Sequence, residues 1–493
     1  MRPALIIVGA VAVLSAILMA VDFRATSTSQ PEQVSPDPER YRLVFRHCWF
    51  EAPWQETIRC ADLHTPASTG SFILPVVIIE DRGAGKPREA VFYLQGGPGS
   101  SADLDQDGIA YWLRWRDTMA LGRDLVLLDP RGTGRSTPVL QCQAYDELSL
   151  SILKRNVSVL EELREGYAVL EQCFAQLRQA AQPFDPDHYG TLRHAQDVGA
   201  LLDLLPYDQW NLLGVSYGTR VALEVARQRE DQVRSLVLDS VYPLDQGGML
   251  GFPAVLDQAF RNFFQWCEEQ CGAQRSIERS LELALRQLRD APMTLTVPRR
   301  DGEAPVDLVI NDHRFISAVF AALYSKHRWS RIPEAIDAVL DNNPSALMPI
   351  MEPFVHMALS EDFFSLVFMA VDCRDHGISS QEAYQQELEK YPRWQDYTRD
   401  LWHYQACHFI SAEPAVQVAS SALPPVPGLL LAGELDPITP AAWAENLHQQ
   451  WPESQLHVLP DTGHAVINTD DCVYQSLRSF IDEPSRPVSL CGE

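Results

Sequence analysis

The residues of this sequence that could do chemistry together are a serine, an acid and a histidine spread along the chain. Ser216 stands between two glycines in LLGVSYGTR, residues 212–220, where an apolar run meets a helical pattern. A serine hydroxyl is a weak nucleophile unless a neighbouring base takes its proton. This glycine–serine–glycine spacing between a strand and a helix is typical of a nucleophile on a sharp turn. It predicts Ser216 as a nucleophile, with a glycine-rich turn and an incidental serine as the alternative.

The base and its orienting acid are expected after later strands, in the order serine, acid, histidine. Among the histidines beyond residue 400, His464 fits the base, because LPDTGHAVI follows the apolar run QLHVLP. The segment GLLLAGELDPITP offers Glu434 and Asp436 as the acid. We favour Asp436, because Pro437 fixes the loop directly behind it, and Glu434 is the alternative.

Acyl transfer also needs two N–H donors for the developing oxyanion. The backbone of Tyr217, directly after the nucleophile, is one expected donor. The second is expected from VFYLQGGPGSSA, residues 91–102, where a strand leads into glycines that let the backbone approach a carbonyl closely. Neither this stretch nor RGTGRS at 131–136 has the lysine of a phosphate-binding loop. The pattern therefore favours hydrolysis without an organic cofactor over nucleotide binding.

The elements that must position these residues alternate between apolar runs and helical patterns. Several runs are continuously apolar, as expected for central strands covered on both faces. The strand-like runs are 72–80, 90–94, 124–129, 210–215, 234–239, 428–433 and 455–460. Helical patterns such as 191–205 and 217–230 lie between them. This alternation predicts an α/β fold with a mostly parallel sheet wrapped by helices.

A mainly helical stretch interrupts the sheet pattern between about residues 246 and 415. One hairpin, MTLTVP with VDLVIN, is expected inside it. The simplest account is a helical cap domain inserted into a sheet domain. The expected division is an export signal or membrane anchor at 1–25, a linker at 26–40, the core at 41–245, the cap at 246–415 and the rest of the core at 416–493.

Charge and the N-terminus restrict the partners and the location. The net charge of −26 with no basic run argues against a nucleic-acid surface. Residues 4–21 are apolar and uncharged after Arg2, which predicts export to the periplasm or the medium. The stretch lies between the usual lengths of a signal peptide and a spanning helix. Cleavage and retention as a membrane anchor are therefore both open.

The cysteines agree with export, because an even number behind an export signal is typical of disulfides. No pair has the spacing of a zinc site, so no metal is expected. The ten cysteines are Cys48, Cys60, Cys142, Cys173, Cys267, Cys271, Cys373, Cys407, Cys472 and Cys491.

Six motifs taken together resemble a known family. GGPGSSA, DLVLLDPRGTGRSTP, WNLLGVSYGTR, RSLVLDSVYP, LLLAGELDPITP and DTGHAVI occur in this order. The set is similar to the α/β-hydrolase family of prolyl iminopeptidases and secreted tripeptidyl aminopeptidases, over roughly residues 45–491. The resemblance implies Ser216 as nucleophile, Asp436 as orienting acid and His464 as base. Gln95 departs from prolyl iminopeptidases, which have histidine before the glycines.

The same resemblance implies further features of the site. It implies a helical cap and an oxyanion hole from Gly97 and Tyr217, with Gly96 beside them. It also suggests that cysteines adjacent in the sequence pair with one another: 48 with 60, 142 with 173, 267 with 271, 373 with 407 and 472 with 491.

An exopeptidase must also recognise a free α-ammonium group, which calls for a partly desolvated carboxylate in the cap. The segment SEDFFSLVFMAVDCRDHG, residues 360–377, offers several acids. We favour Asp375, then Asp372, because Cys373 would pin them, and Glu361 is a further candidate.

The sequence as a whole predicts an exported serine aminopeptidase that acts on peptides with free N-termini. It leaves open whether one residue or a tripeptide is released, and whether the protein forms oligomers. A carboxylesterase or lipase-like hydrolase on the same residues is the first alternative. A non-catalytic binding protein with this fold is the second.

Overall fold

The fold is organised around a nine-stranded sheet, seen in a computed structural model that describes residues 39–83, 88–272, 276–300, 302–410, 423–469 and 471–490. Strands β8 and β9 form a separate hairpin. The strands are β1 (Arg42–Arg46), β2 (Ile58–His64), β3 (Ile73–Ile79), β4 (Glu89–Leu94), β5 (Asp124–Leu128), β6 (Gln209–Val215), β7 (Val233–Asp239), β8 (Met293–Val297), β9 (Val306–Ile310), β10 (Gly428–Gly433) and β11 (Ser454–Leu459).

The strand order of the sheet is β1-β2-β3-β5-β4-β6-β7-β10-β11. Pairings among β1, β2, β3 and β5 are antiparallel, and all pairings from β5 to β11 are parallel. The expected α/β fold with a mostly parallel sheet is confirmed. The sequence analysis missed β1 and β2, because neither is a continuously apolar run and β1 is largely exposed at the sheet edge.

Helices cover both faces of the sheet and form the long insertion between β7 and β10. In the described residues the α-helices are α1 (Gln106–Met119), α2 (Gln143–Leu153), α3 (Val159–Leu177), α4 (Thr191–Leu204), α5 (Tyr217–Gln228), α6 (Gly248–Gln270), α7 (Ile277–Asp290), α8 (Asp312–Leu323), α9 (Lys326–Trp329), α10 (Arg331–Leu340), α11 (Met348–Ala358), α12 (Ser365–His376), α13 (Gln381–Glu389), α14 (Gln395–Thr398), α15 (Cys407–Ile410), α16 (Ala441–Gln449) and α17 (Asp471–Asp482).

The central strands divide their side chains between two hydrophobic cores. Leu212 of β6 packs in a core with α4 and α5, and its neighbour Leu213 packs on the opposite face with α1 and α17. Because successive side chains of a strand point to opposite faces, a strand covered on both sides must be apolar at every position. This requirement explains the continuous apolar runs of the sequence.

The insertion builds a core of its own. Helices α6 to α11 and the β8–β9 hairpin share one cluster of buried apolar residues. Helix α12 packs differently, since Leu366, Val367 and Ala370 belong to the core of the sheet. The expected boundary between cap and second core part falls within residues 411–422, outside the described residues, and the domain division stays a prediction.

Four of the expected cysteine pairs are disulfides in the structure: Cys48–Cys60, Cys142–Cys173, Cys267–Cys271 and Cys373–Cys407. The fifth expected pair includes Cys491, which lies outside the described residues. The expected export segment 1–25 lies outside them as well. Within the described ranges, no helix combines the length and apolar character needed to cross a membrane.

Candidate active site

Ser216 occupies the turn between the end of β6 and the start of α5. Its φ of 55° and ψ of −121° lie outside the regions that residues with a side chain favour. Such a conformation costs about 1–3 kcal/mol and is found mainly at functional sites. The flanking glycines permit the turn, because a Cβ at Gly214 would clash with the Gly218 backbone. A Cβ at Gly218 would in turn clash with the carbonyl oxygen of Leu94.

Asp436 and His464 form a hydrogen-bonded acid–base pair. Asp436 follows β10, His464 follows β11, and Asp436 Oδ2 lies 2.8 Å from His464 Nδ1. The exposed fraction is 0% for the Asp436 side chain and 5% for that of His464. Glu434, the alternative acid, is exposed and accepts a hydrogen bond from the Asp461 N–H at 2.9 Å. The structure thus pairs His464 with Asp436.

The surroundings of Asp436 keep it a carboxylate. Its Oδ1 accepts the N–H groups of Ile438 at 3.0 Å and Thr439 at 2.9 Å, and its Oδ2 accepts the Thr439 hydroxyl at 2.7 Å. Burial opposes the charge, but His464 and these hydrogen bonds hold the pKa of Asp436 below its usual value. Burial also opposes the imidazolium, but the Asp436 carboxylate outweighs it and raises the pKa of His464. With Nδ1–H donated to Asp436, Nε2 of the neutral ring is the acceptor.

Asp239, at the end of β7, connects the serine to the histidine. The Ser216 N–H donates to the main-chain oxygen of Asp239 at 2.8 Å. The fully buried Asp239 carboxylate accepts the N–H groups of Val466 at 2.9 Å and Ile467 at 2.8 Å, just after His464. Asp239 therefore anchors both the turn at Ser216 and the loop that carries His464. The sequence analysis did not single out Asp239, although it ends the apolar run RSLVLD.

The glycine loop after β4 lies against Ser216. An ideal Cβ at Gly96 would be 3.2 Å from Ser216 Cβ, and Gly97 lines the same cavity as Ser216. Gln95 Nε2 donates to a main-chain carbonyl of β5 at 3.0 Å, which fixes the start of the loop. Tyr217 is the first residue of α5, so its N–H belongs to a helix N-terminus, which favours negative charge. The expected donors of the oxyanion site thus lie around Ser216.

A cavity of about 240 Å³ borders Ser216. Three helices line it with residues spaced three or four apart, which places each set on one helix face. These sets are Leu163, Gly166, Tyr167 and Leu170 of α3; Gly248, Gly251, Phe252 and Val255 of α6; and Ser365, Phe368, Met369 and Asp372 of α12. The cavity wall formed by α3 was not predicted from the sequence, because the apolar face of a helix does not indicate which element it packs against.

The three acids expected to bind the substrate amine have different surroundings. Asp372 lines the cavity, and its pKa is raised to about 7 by burial and by the neighbouring Asp375. Asp375 is buried elsewhere, where it accepts the N–H of Thr191 at 2.8 Å and lies 3.8 Å from Arg220 Nε. Glu361 is exposed and is not part of the cavity wall. Only Asp372 of the three therefore faces the space beside Ser216.

The glycine loop is joined to the segment before α12 by two main-chain hydrogen bonds. The Phe364 N–H donates to Gly99 O at 2.8 Å, and the Ser101 N–H donates to Asp362 O at 3.1 Å. Asp103 lies next to this junction and accepts the Ser101 hydroxyl at 2.8 Å. Burial and the charge of Asp362 raise the pKa of Asp103 to about 7. Ionisation of the Asp103 carboxyl at this junction therefore destabilises the folded state.

We expect the Asp103→Asn variant to be more stable than the wild type at pH 8, by a few degrees in Tm, and about equal to it at pH 4. The folded-state pKa of about 7 lies above the unfolded value of 3.8, so the unfolded chain loses its proton first. Wild-type stability therefore decreases between these pH values, and asparagine removes this loss while tolerating the positive φ of 51°. Thermal melts across this range test the prediction, and a pH-independent difference would contradict it.

Comparisons with known proteins identify the family to which the chain belongs. Residues 89–471 match the alpha/beta hydrolase fold family. The serine protease Hip1 of Mycobacterium tuberculosis (strain ATCC 25618 / H37Rv) is 23% identical over 418 residues, which cover 80% of this chain and 78% of that protein. The tripeptidyl aminopeptidase of Streptomyces lividans is 24% identical over 431 residues, which cover 80% and 74%. A solved structure of proline iminopeptidase from Mycobacterium smegmatis aligns over 85% of this chain and 97% of that chain, with a TM-score of 0.34 and 14% identity.

The family match covers most of the chain, from β4 to the start of α17. The resemblance to hydrolases of this kind that the sequence motifs indicated is confirmed. This protein belongs to the alpha/beta hydrolase fold family, as a serine hydrolase with a serine protease and a tripeptidyl aminopeptidase among its relatives.

Proposed function

We propose that this protein is an exported serine aminopeptidase that cleaves peptides near their free N-termini. One observation carries the proposal: His464 is paired with Asp436, on a loop anchored to the same Asp239 that anchors Ser216. The names of the protease and aminopeptidase relatives support peptides as the substrate class. The four disulfides and the uncharged apolar stretch at 4–21 support export.

In the proposed reaction, Ser216 Oγ attacks the scissile carbonyl while its proton passes to His464 Nε2. The C–N bond then breaks, the amine leaves with that proton, and the acyl group stays on Oγ as an ester. Water attacks this ester and gives a proton to His464, which returns it to Ser216 as the acid is released. The N–H groups of Gly97 and Tyr217 stabilise the oxyanion, and Asp436 stabilises the imidazolium.

We assign recognition of the substrate ammonium to Asp372. Among the described residues, two carboxylates line the cavity, Asp372 and Glu162. The charge of Glu162 is already neutralised by basic side chains of the protein, since its Oε1 lies 2.5 Å from Arg314 Nη2 and 3.0 Å from His313 Nε2. Asp372 has a weaker contact, with His376 Nε2 at 3.9 Å, and burial lowers the pKa of that histidine to about 3. Asp372 is therefore the wall carboxylate that gains most from an incoming cation.

The spacing along α12 supports release of about three residues. The start of α12 packs on the glycine loop, where a Cβ at Gly99 would lie 2.7 Å from the carbonyl oxygen of Phe364. Asp372 follows Ser365 by seven residues on the same face, which is about 10 Å along the helix. Three extended residues also span about 10 Å. An ammonium at Asp372 thus fits a scissile carbonyl about three residues away.

We expect Asp372→Asn to lower kcat/KM for peptides with a free N-terminus by about 10- to 100-fold, mainly through KM. The same change should leave N-acetylated peptides unaffected. Because the pKa of Asp372 is raised to about 7, wild-type KM for free amines should fall as the pH rises through that value. Glu361→Gln is the matched control and should change neither substrate class. Equal losses on free and acetylated peptides would contradict the assignment.

Mass spectrometry of peptide digests distinguishes the proposed activity from an esterase. Free tripeptide fragments from unblocked peptides are expected, with little product from their acetylated forms. Faster hydrolysis of short acyl esters than of any peptide would replace the peptidase proposal by the esterase alternative. Cell fractionation with N-terminal sequencing of the mature chain tests export, and an intact Met1 in the cytoplasm would contradict it.

A further inference from the structure

Gly251 is the fourth residue of α6, and neither its backbone conformation nor its protein contacts require a glycine there. Its φ is not among the positive values that favour glycine, and it lies inside α6, three residues after the helix begins at Gly248. An added Cβ would meet no atom within 4 Å apart from its chain neighbours and the nearby backbone of its own helix. Gly122, Gly272 and Gly302 also leave open space, but each has a positive φ. Glycine inside a helix is destabilising relative to alanine, so its presence here calls for another explanation.

Gly251 lines the cavity beside Ser216. Phe252 and Val255, on the same face of α6, line this cavity, as do Leu163 and Tyr167 of α3. The walls contributed by both helices at this place are apolar apart from the neutralised Glu162. A missing side chain in an apolar wall leaves room for an apolar group of the ligand, which can then approach the helix backbone.

We propose that Gly251 is a specificity-determining residue, which admits a bulky apolar side chain of a substrate residue on the N-terminal side of the scissile bond. This inference rests on the proposed peptidase function and names its substrate class: peptides with a free N-terminus that carry a large aliphatic or aromatic residue near it. Binding such a side chain buries apolar surface of α6 and of the ligand, which favours these substrates over those with alanine.

The test compares the wild type with Gly251→Ala and Gly251→Val on two series of peptides. The two series differ at one of the three residues before the scissile bond, which is alanine in the first series and leucine or phenylalanine in the second. At one of these positions, Gly251→Val should lower kcat/KM for the bulky residue at least about 10-fold and leave the alanine peptide within about twofold. Gly251→Ala should shift the ratio in the same direction, with a Tm equal to or above that of the wild type.

Gly199→Ala is the matched control. Gly199 lies inside α4, where an added Cβ would make ordinary contact with the Arg229 side chain at 3.7 Å. This variant should not change the ratio of bulky to alanine substrates. An unchanged ratio in an active Gly251→Val variant would overturn the inference, and so would an equal loss on both series.

The test separates failure of this inference from failure of the proposed function. If the wild type cleaves esters but no peptides, the peptidase proposal fails. The same variants can then be compared on acetyl esters and on esters with a large acyl group. A Gly251→Val variant that keeps its wild-type preference on those esters would show that the cavity wall at α6 does not select the ligand.

Discussion

Replacing Ser216 with alanine is expected to lower kcat by about 10⁵-fold, since the nucleophile and its base act as one unit. The alanine variant keeps the strained turn and the oxyanion donors, but no hydroxyl is left to form the acyl-enzyme. KM should change little, because the cavity walls and Asp372 are untouched. Thermal stability should stay close to that of the wild type, since removing Oγ leaves the hydrogen bond from the Ser216 N–H to Asp239 in place.

Two measurements check this prediction. A fluorophosphonate probe should label the wild type at Ser216, and mass spectrometry of the digested protein should find no label in Ser216→Ala. Ser476→Ala is the matched control, because Ser476 is a buried serine on α17 whose hydroxyl donates to Ser489 O at 2.8 Å. This control should keep both its label and its activity. Substantial peptide hydrolysis by the Ser216→Ala variant would refute the proposed mechanism.

Asp436→Asn is expected to lower kcat by about 10⁴-fold at neutral pH, with the fold preserved. Asparagine can donate a hydrogen bond towards His464, which favours the tautomer with the proton on Nε2 and removes the acceptor that Ser216 needs. The loss of the negative charge also removes the main interaction that raises the pKa of His464. Activity requires the neutral imidazole, so the acid limb of the pH–kcat profile should move to lower pH in the variant.

Glu434→Gln is the control for Asp436→Asn, because it changes the other acid of the same loop. Glu434 contacts the Asp461 N–H and not His464, so its variant should keep kcat within about threefold and leave the acid limb in place. A large loss in Glu434→Gln with an active Asp436→Asn would reverse the two assignments. Full pH–rate profiles of both variants, with Tm values measured in parallel, distinguish a catalytic effect from unfolding.

The sharp turn at Ser216 could be predicted from the sequence because the residues that form it are adjacent in the chain. Gly214, Ser216 and Gly218 lie within five consecutive residues, so the motif can be recognised directly in the sequence. The Cβ clash that requires Gly214 is within this strand–turn–helix unit, whereas the one that requires Gly218 is with Leu94 of β4. The choice of Asp436 over Glu434 rested on Pro437 and on the family resemblance. The structure supplies the reason in three dimensions: the N–H groups of Ile438 and Thr439 close around Asp436, which directs its second oxygen to His464.

The acids of α12 show where local information is insufficient. Asp372 and Asp375 both lie within two residues of Cys373. The sequence analysis favoured Asp375, but nothing in the sequence indicated which of the two side chains faces the cavity. In the folded protein, Asp375 accepts a hydrogen bond from the N–H of Thr191 in α4, and Asp372 faces the cavity. Which side of a helix faces the ligand depends on how the helix is rotated against its neighbours, and residues far away in the chain determine that rotation.

The sequence by itself determined the fold class and predicted the sharp turn at Ser216 and the candidate order Ser216, Asp436 and His464, because periodicity and turn chemistry act over a few residues. Only the tertiary structure decided that Asp239 anchors both Ser216 and the His464 loop, that α3 forms a cavity wall and that Gly251 opens onto the cavity. These features depend on contacts between segments up to hundreds of residues apart. Their geometry follows from the packing of the whole sheet and its helices.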